Sequence, residues 1–179
     1  IKYNIRDISK EKGRLGKDMS ETIKVGMADL RVCISPNAVT TLGLGSCVGI
    51  AIRDPVTKIG GLAHIMLPDS TQISNNSNIP KFADTGITEL VKQMVAKGAK
   101  QSRMVAKIAG GAQMFSFQNK SELSRVGERN VAATKKKLAE LRIPILAQDT
   151  GNNYGRTVIF YPETGDFVIK AVGKAQKTI

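Results

Sequence analysis

From Ile23 to Val172 the chain is cut into short apolar runs of strand length, separated by turns rich in proline and glycine, and only two stretches carry a helical period. Ile23–Val32 and Ala38–Leu44 predict strands joined through Ser35-Pro36-Asn37. Val48–Arg53 and Ile59–Leu67 predict a hairpin around Asp54-Pro55-Val56-Thr57, where proline suits the second turn position. Met104–Ala109, Ile143–Gln148, Arg156–Tyr161 and Phe167–Val172 bring the expected total to about eight strands. Ile87, Leu90, Val91, Met94 and Val95 recur at helical spacing after a cap at Asp84 or Thr85, with Gly98 near the end. A second helix is expected over about Gly127–Leu141, with Val131, Leu138 and Leu141 inward and Lys135-Lys136-Lys137 mostly on a solvated face. Helices that do not alternate regularly with strands exclude a doubly wound parallel sheet. The expected fold is α/β of the α+β type: a single-domain sandwich of mainly antiparallel strands with flanking helices.

Residues 1–22 are charged and poor in large apolar side chains, which predicts an N-terminal extension, mobile or docked, ahead of one domain over 23–179. The polar stretch 69–80 has little to bury and is expected to be a mobile loop, either a lid or a plain connector. No apolar run approaches the roughly 20 residues that cross a bilayer, so membrane insertion is not expected. Two cysteines, Cys33 and Cys47, make no disulfide framework and fit free thiols in a reducing, cytoplasmic setting. With one histidine and no Cys-x-x-Cys, no metal site is expected.

The net charge of +12 calls for an explanation. A solvated basic surface is one, and nucleic acid another, but no binding motif is present and aromatics make up only 4% of the chain, too few for stacking platforms. An acidic protein surface is the third and is preferred, with nucleic acid not expected as a partner.

The chemistry-bearing residues are few. Cys47 lies in Gly45-Ser46-Cys47-Val48-Gly49, and the only histidine, His64, follows seventeen residues later. A thiol becomes a strong nucleophile when a base takes its proton, and imidazole is the usual partner. Gly43, Gly45 and Gly49 allow a tight backbone, and amides at or next to Cys47, with Gly45 and Ser46 in support, suit a developing oxyanion. A small buried cysteine in a glycine-rich strand end is the competing reading. Period-two alternation puts Leu62, His64 and Met66 on one face, where a satisfied core or surface histidine is commoner than a base. Thr41 and Ser46 are hydroxyls near enough in sequence to orient a ring nitrogen, though many others could be named. The cluster Asp149-Thr-Gly-Asn-Asn-Tyr-Gly-Arg156 lacks phosphate-loop spacing and is either a loop shaped to approach something closely or, the preferred reading, a tight turn between strands.

Several ordered blocks carry a resemblance: Leu42-Gly-Leu-Gly-Ser-Cys-Val-Gly-Ile, Asp54-Pro-Val-Thr-Lys-Ile-Gly-Gly, His64-Ile-Met-Leu-Pro68, Phe82-Ala-Asp-Thr-Gly86, Ile108-Ala-Gly-Gly-Ala-Gln-Met-Phe115, Gly127-Glu-Arg-Asn-Val131 and Tyr154-Gly-Arg-Thr. From about Val25 to Val172 the chain resembles the CheD family, chemoreceptor glutamine deamidases of bacterial and archaeal chemotaxis. The resemblance implies hydrolysis of selected glutamines to glutamates on methyl-accepting chemotaxis receptors, without a cofactor. It implies a Cys47/His64 pair with Thr41 as the hydroxyl that orients the histidine, a fold akin to bacterial toxin deamidases, and a CheC-type phosphatase as partner. Asn152-Asn153 departs from it, since a glycine is expected in the first position.

Phe115 and Phe117 follow Gly110-Gly111 and are expected either to touch a partner or to pack in the core. Two other readings stay open. One is a different thiol amidase acting on a small amide. The other is a non-catalytic module that docks on a CheC-type phosphatase or a receptor without turnover.

Overall fold

The computed structural model describes residues 20–115 and 125–179. Most of the expected N-terminal extension (residues 1–19) and Phe117 lie outside the described residues. Ten strands, two α-helices and three short 3-10 turns follow one another among the described residues. They are β1 (Thr22–Val25), β2 (Asp29–Ile34), β3 (Ala38–Leu44), β4 (Val48–Asp54), β5 (Ile59–Ile65), α1 (Ala83–Ala96), β6 (Val105–Gly110), α2 (Val126–Glu140), β7 (Ile145–Thr150), β8 (Arg156–Tyr161), β9 (Asp166–Lys170) and β10 (Lys177–Thr178).

The strands form two five-stranded sheets, one in the order β1-β3-β8-β9-β10 and the other β2-β5-β4-β6-β7. Pairing is mainly antiparallel, with β1–β3 and β6–β7 the parallel exceptions. The apolar residues divide into two clusters that define the layers. Leu62, Ala51, Ala109, Val39, Val158, Phe160 and Phe167 fill the space between the sheets. Ile50, Ile52, Ala63, Ile65 and Ile108 point the other way, onto Ile87, Leu90 and Met94 of α1 and Leu138 of α2. The second sheet is therefore buried on both faces, which is why β5 alternates so weakly: every residue from Ile59 to Ile65 is buried. This bears out the expected α+β sandwich with flanking helices. The β4–β5 hairpin forms around Asp54-Pro55 as predicted.

Three local expectations change. The single strand over Ile23–Val32 is two strands in different sheets, broken at Gly26-Met27-Ala28. Ala28 takes a left-handed φ of 54°, and the Asp29 carboxylate accepts from the amides of Gly26 and Leu30, so the corner is held locally. The turn at 35–37 likewise links strands of opposite sheets. Helix α1 has no side-chain cap at its start: Phe82 is its N-cap residue, and Asp84 instead binds Ser70, accepting from its amide at 3.1 Å and its hydroxyl at 2.7 Å. That tether, with 3-10 turns at Ser70–Gln72 and Ile79–Lys81, docks the two ends of the 69–80 segment against the helical layer and leaves 74–78 exposed between them. Arg129 of α2 holds it further through Gln72. Among the described residues no helix is long and apolar enough to cross a membrane.

Candidate functional site

Thr41 and His64 come from different sheets and meet at one end of the inter-sheet layer, and strand register puts Cys47 on the same face. In β3, Val39 and Thr41 face inward, and a bulge at Gly43, with φ 70°, lets Leu44 face inward as well. His64 lies near the end of β5, between Asp29 of β2 and Gly49 of β4. The period of a strand puts Cys47 on the same side as Gly49, two residues on, so it shares a face with His64. Its packing with Leu62, Ala51 and Ala109 agrees. Diagonal neighbours of this kind sit roughly 7 Å apart along the backbone, within side-chain reach.

Hydrogen bonding assigns the histidine tautomer. Thr41 Oγ1 donates its single proton to Val25 O at 2.8 Å. It can then only accept at its 2.7 Å contact with His64 Nδ1, so Nδ1 carries the ring proton and Nε2 is left with a lone pair. Nε2 is buried and has no hydrogen-bond partner among the described residues, the Cys47 sulfur included. A bare ring nitrogen on the face that carries a cysteine leaves a base available there for a thiol brought within reach.

Burial sets the resting protonation states. His64 is 1% exposed, and desolvation lowers its pKa to about 4. Burial also raises the Cys47 thiol, while its own amide N–H beside the sulfur acts the other way. At neutral pH the pair is thus thiol and neutral imidazole rather than a preformed ion pair. Cys33, also buried and free, is pushed up to about 11 by burial, and its sulfur contacts Asn37 O, away from the histidine face partners.

The 110–113 segment grips the cysteine loop. Gly111 N donates to Cys47 O and Ala112 N to Gly45 O, both at 2.8 Å. Gly110 takes φ 109°, and a Cβ there would lie 2.3 Å from Cys47 O, so only glycine fits. The Asp149–Arg156 cluster is both a turn between strands and a loop in close approach, continuing the same clamp: Gln113 N donates to Asn152 O and Gly151 N to Gly110 O. Asn152 takes φ 60°, the left-handed region where a glycine was expected and which asparagine enters more readily than most residues. Sequence reasoning noted these glycines but not their target, because a backbone clamp between distant loops leaves no residue pattern of its own.

Of the other expected positions, Gly45 shapes the turn. Its amide donates to Gly43 O, so it is not open to an oxyanion, whereas Ser46 and Cys47 supply the next two amides. Met114 lies over Gly45, and Phe115 is 70% exposed, which rules out core packing for that ring. Cavities of about 460 and 430 Å³ open beside α2, yet neither is lined by Thr41, Cys47 or His64. No group of three metal-ligating side chains occurs among the described residues.

Comparisons with known proteins converge on one family. Residues 66–171 match the family model described as CheD chemotactic sensory transduction. The chain is similar to a probable chemoreceptor glutamine deamidase CheD of Lachnoclostridium phytofermentans, 64% identical over 90% of this chain and 100% of that protein. It is also similar to proteins so named from Caldanaerobacter subterraneus, 54% identical over 89% of this chain and 99% of the relative, and Syntrophomonas wolfei, 52% identical over 90% and 100%.

Proposed function

The chain belongs to the CheD family, and from that premise we propose that it hydrolyses glutamine side chains of chemoreceptors to glutamate, with Cys47 as nucleophile, His64 as base and acid, and Thr41 as the group that orients His64. The observation that carries the residue roles is the Thr41–His64 contact, which leaves Nε2 bare on the face shared with Cys47.

The reaction follows from the protonation states. Nε2 takes the Cys47 proton as sulfur attacks the side-chain amide carbon of glutamine, and the carbonyl oxygen becomes an oxyanion held by the amides of Cys47 and Ser46. The imidazolium returns that proton to the departing nitrogen, ammonia leaves, and a thioester remains. Nε2 then takes a proton from water, hydroxide adds to the thioester carbon, and the proton goes back to sulfur as glutamate is released. The low pKa of His64 makes its imidazolium a strong acid, which suits expulsion of a poor amine leaving group.

The receptor is the substrate, and the net charge of +12 speeds encounter with an acidic receptor surface in a salt-sensitive way. A CheC-type phosphatase is the proposed regulatory partner, with exposed Phe115 as a contact and Phe117 alongside it in sequence, and the cytoplasm is the proposed location. An affinity unchanged in Phe115→Ala would remove that contact.

The deciding experiment is the intact mass of a receptor cytoplasmic fragment incubated with the parent protein, Cys47→Ala and His64→Ala. Glutamine-to-glutamate conversion by the parent alone, mapped to particular peptides, is expected. A folded receptor left unchanged by a reduced, folded parent would overturn the reading in favour of a docking module without turnover.

A further inference from the structure

Asn130 is buried completely on the inner face of α2, and its Nδ2 donates to two backbone carbonyls at 2.9 Å each, Ser46 O and Met66 O. One precedes the nucleophile and the other lies two residues past the base. The amide cannot be turned over, because Oδ1 would then face both carbonyls with no proton to share. Oδ1 itself has no partner among the described residues. A buried asparagine that spends both protons on carbonyls of different loops and leaves its own oxygen unsatisfied is poorly explained by stability alone.

The peptide geometry gives it a use. Ser46 C=O and Cys47 N–H belong to one planar trans unit, in which the two bonds point in opposite directions. A donor on the helical side that fixes Ser46 O therefore turns Cys47 N–H toward the other side, where the sulfur and the inter-sheet face lie. The same bond polarises that peptide and strengthens its N–H as a donor. Gly111 N fixes the next carbonyl, Cys47 O, so both peptides that flank the nucleophile are held. The geometry points to Asn130 as a positioning residue that aims and strengthens the Cys47 amide as an oxyanion donor. This inference rests on the proposed thiol chemistry at Cys47.

Its test separates steps that build an oxyanion from one that does not. In a Cys33→Ala background, acylation of Cys47 by p-nitrophenyl acetate passes through a tetrahedral oxyanion, whereas alkylation by iodoacetamide is a direct displacement at carbon. Neither needs a receptor, so a failure of receptor deamidation and a failure of this inference are distinguishable. Asn130→Ala removes the donors and the orphaned oxygen together, and Asn130→Leu does so while keeping volume, which provides a second folded variant if the first unfolds. Thr134→Val, one turn along α2, deletes a buried hydroxyl that also lacks a partner and controls for disturbance of the helix face. The Asn130 variants should acylate about 100-fold more slowly, while alkylation, read as the plateau rate of the thiolate at high pH, stays within about twofold of the parent and Thr134→Val matches the parent in both. On receptor, kcat should fall with KM little changed. Acylation at the parental rate, or acylation and alkylation falling together, would overturn the assignment.

Discussion

Thr41 and His64 lie in opposite sheets, twenty-three residues apart, and are joined by a 2.7 Å contact whose direction is dictated by Val25, because the threonine proton is already given to Val25 O. The contact holds the ring angle and its tautomer at once. Thr41→Val keeps the shape and removes the hydroxyl, leaving Nδ1–H buried without an acceptor at a cost of roughly 1–3 kcal/mol. Acylation of Cys47 should fall by about 10- to 100-fold, and Thr41→Ser should recover most of it. A valine variant with parental kinetics would show that Thr41 is only a packing residue.

The resting pair is neutral, and that has a kinetic signature. Cys47 is raised by burial and His64 is lowered to about 4, so no stable thiolate–imidazolium pair exists at mild acidity. In a Cys33→Ala background, iodoacetamide should react with Cys47 at a rate that climbs steadily with pH from about 6 upward, without the acid-side plateau of a thiolate poised beside a cation. Alkylation rates measured by mass spectrometry from pH 5 to 9 decide this, and a plateau beginning near pH 5 would show the ion pair instead.

Burying a neutral imidazole also links stability to pH. The unfolded histidine titrates near its ordinary 6.5 and the folded one at about 4, so between these values the unfolded state binds more protons. Stability from this group is fully present above the upper value, is lost as pH falls through the window, and is level again below the lower one, a total of roughly 3 kcal/mol. Chemical denaturation across pH 4–7 should show this limb in the parent and a flatter one in His64→Leu. Equal slopes in the two proteins would mean that other groups carry the acid sensitivity.

Gly110 and Gly173 make a controlled pair. Both take positive φ, 109° and 73°, but a Cβ at Gly110 would strike Cys47 O at 2.3 Å whereas at Gly173 it meets nothing within 4 Å. Gly173→Ala should cost only the backbone penalty, roughly 1–2 kcal/mol, and leave acylation intact. Gly110→Ala should cost more and also slow acylation, because the displaced atom is the nucleophile's own carbonyl. Equal activity in the two variants would show that the loop position does not matter.

Much of this architecture could be read from periodicity and turn chemistry. The β4–β5 hairpin, both helices and the strand at Arg156–Tyr161 came from local patterns, and local patterns are what a sequence displays. Ile23–Val32 was misjudged because two short strands joined by Gly26-Met27-Ala28 look like one long run unless the left-handed Ala28 is known. The residues of the site were nameable since the chain has one histidine and a glycine-flanked cysteine, but the choice of Thr41 over Ser46 rested on family resemblance. Only the pairing of the sheets puts Thr41 against Nδ1. Asp84 and Thr85 both have the statistics of a helix cap, yet Asp84 accepts from Ser70 and Thr85 donates to Ile79 O, so contacts made by the fold override the local preference.

Asp54 tests whether the two ends of the sandwich are independent. It closes β4 at the end opposite Cys47, roughly 20 Å away at the rise of a strand, and its side chain is fully buried. Arg103 grips both carboxylate oxygens, with bonds of 2.6 to 3.1 Å, and the amides of Val56 and Lys100 donate as well. These bonds, the arginine first, hold the carboxyl far below the usual carboxylate range despite its burial. Asp54→Ala takes the shared acceptor from the part-buried amide bonds of Val56 and Lys100 and from a partly exposed arginine, and should cost about 1–3 kcal/mol. Because neither the Thr41–His64 contact nor the Cys47 clamp shares an atom with this network, the fraction that remains folded should acylate at the parental rate. Denaturation and active-site titration on the same samples give both numbers. A stability loss with a matching fall in the per-molecule rate would mean that strain at the hairpin end travels the length of β4 to the nucleophile.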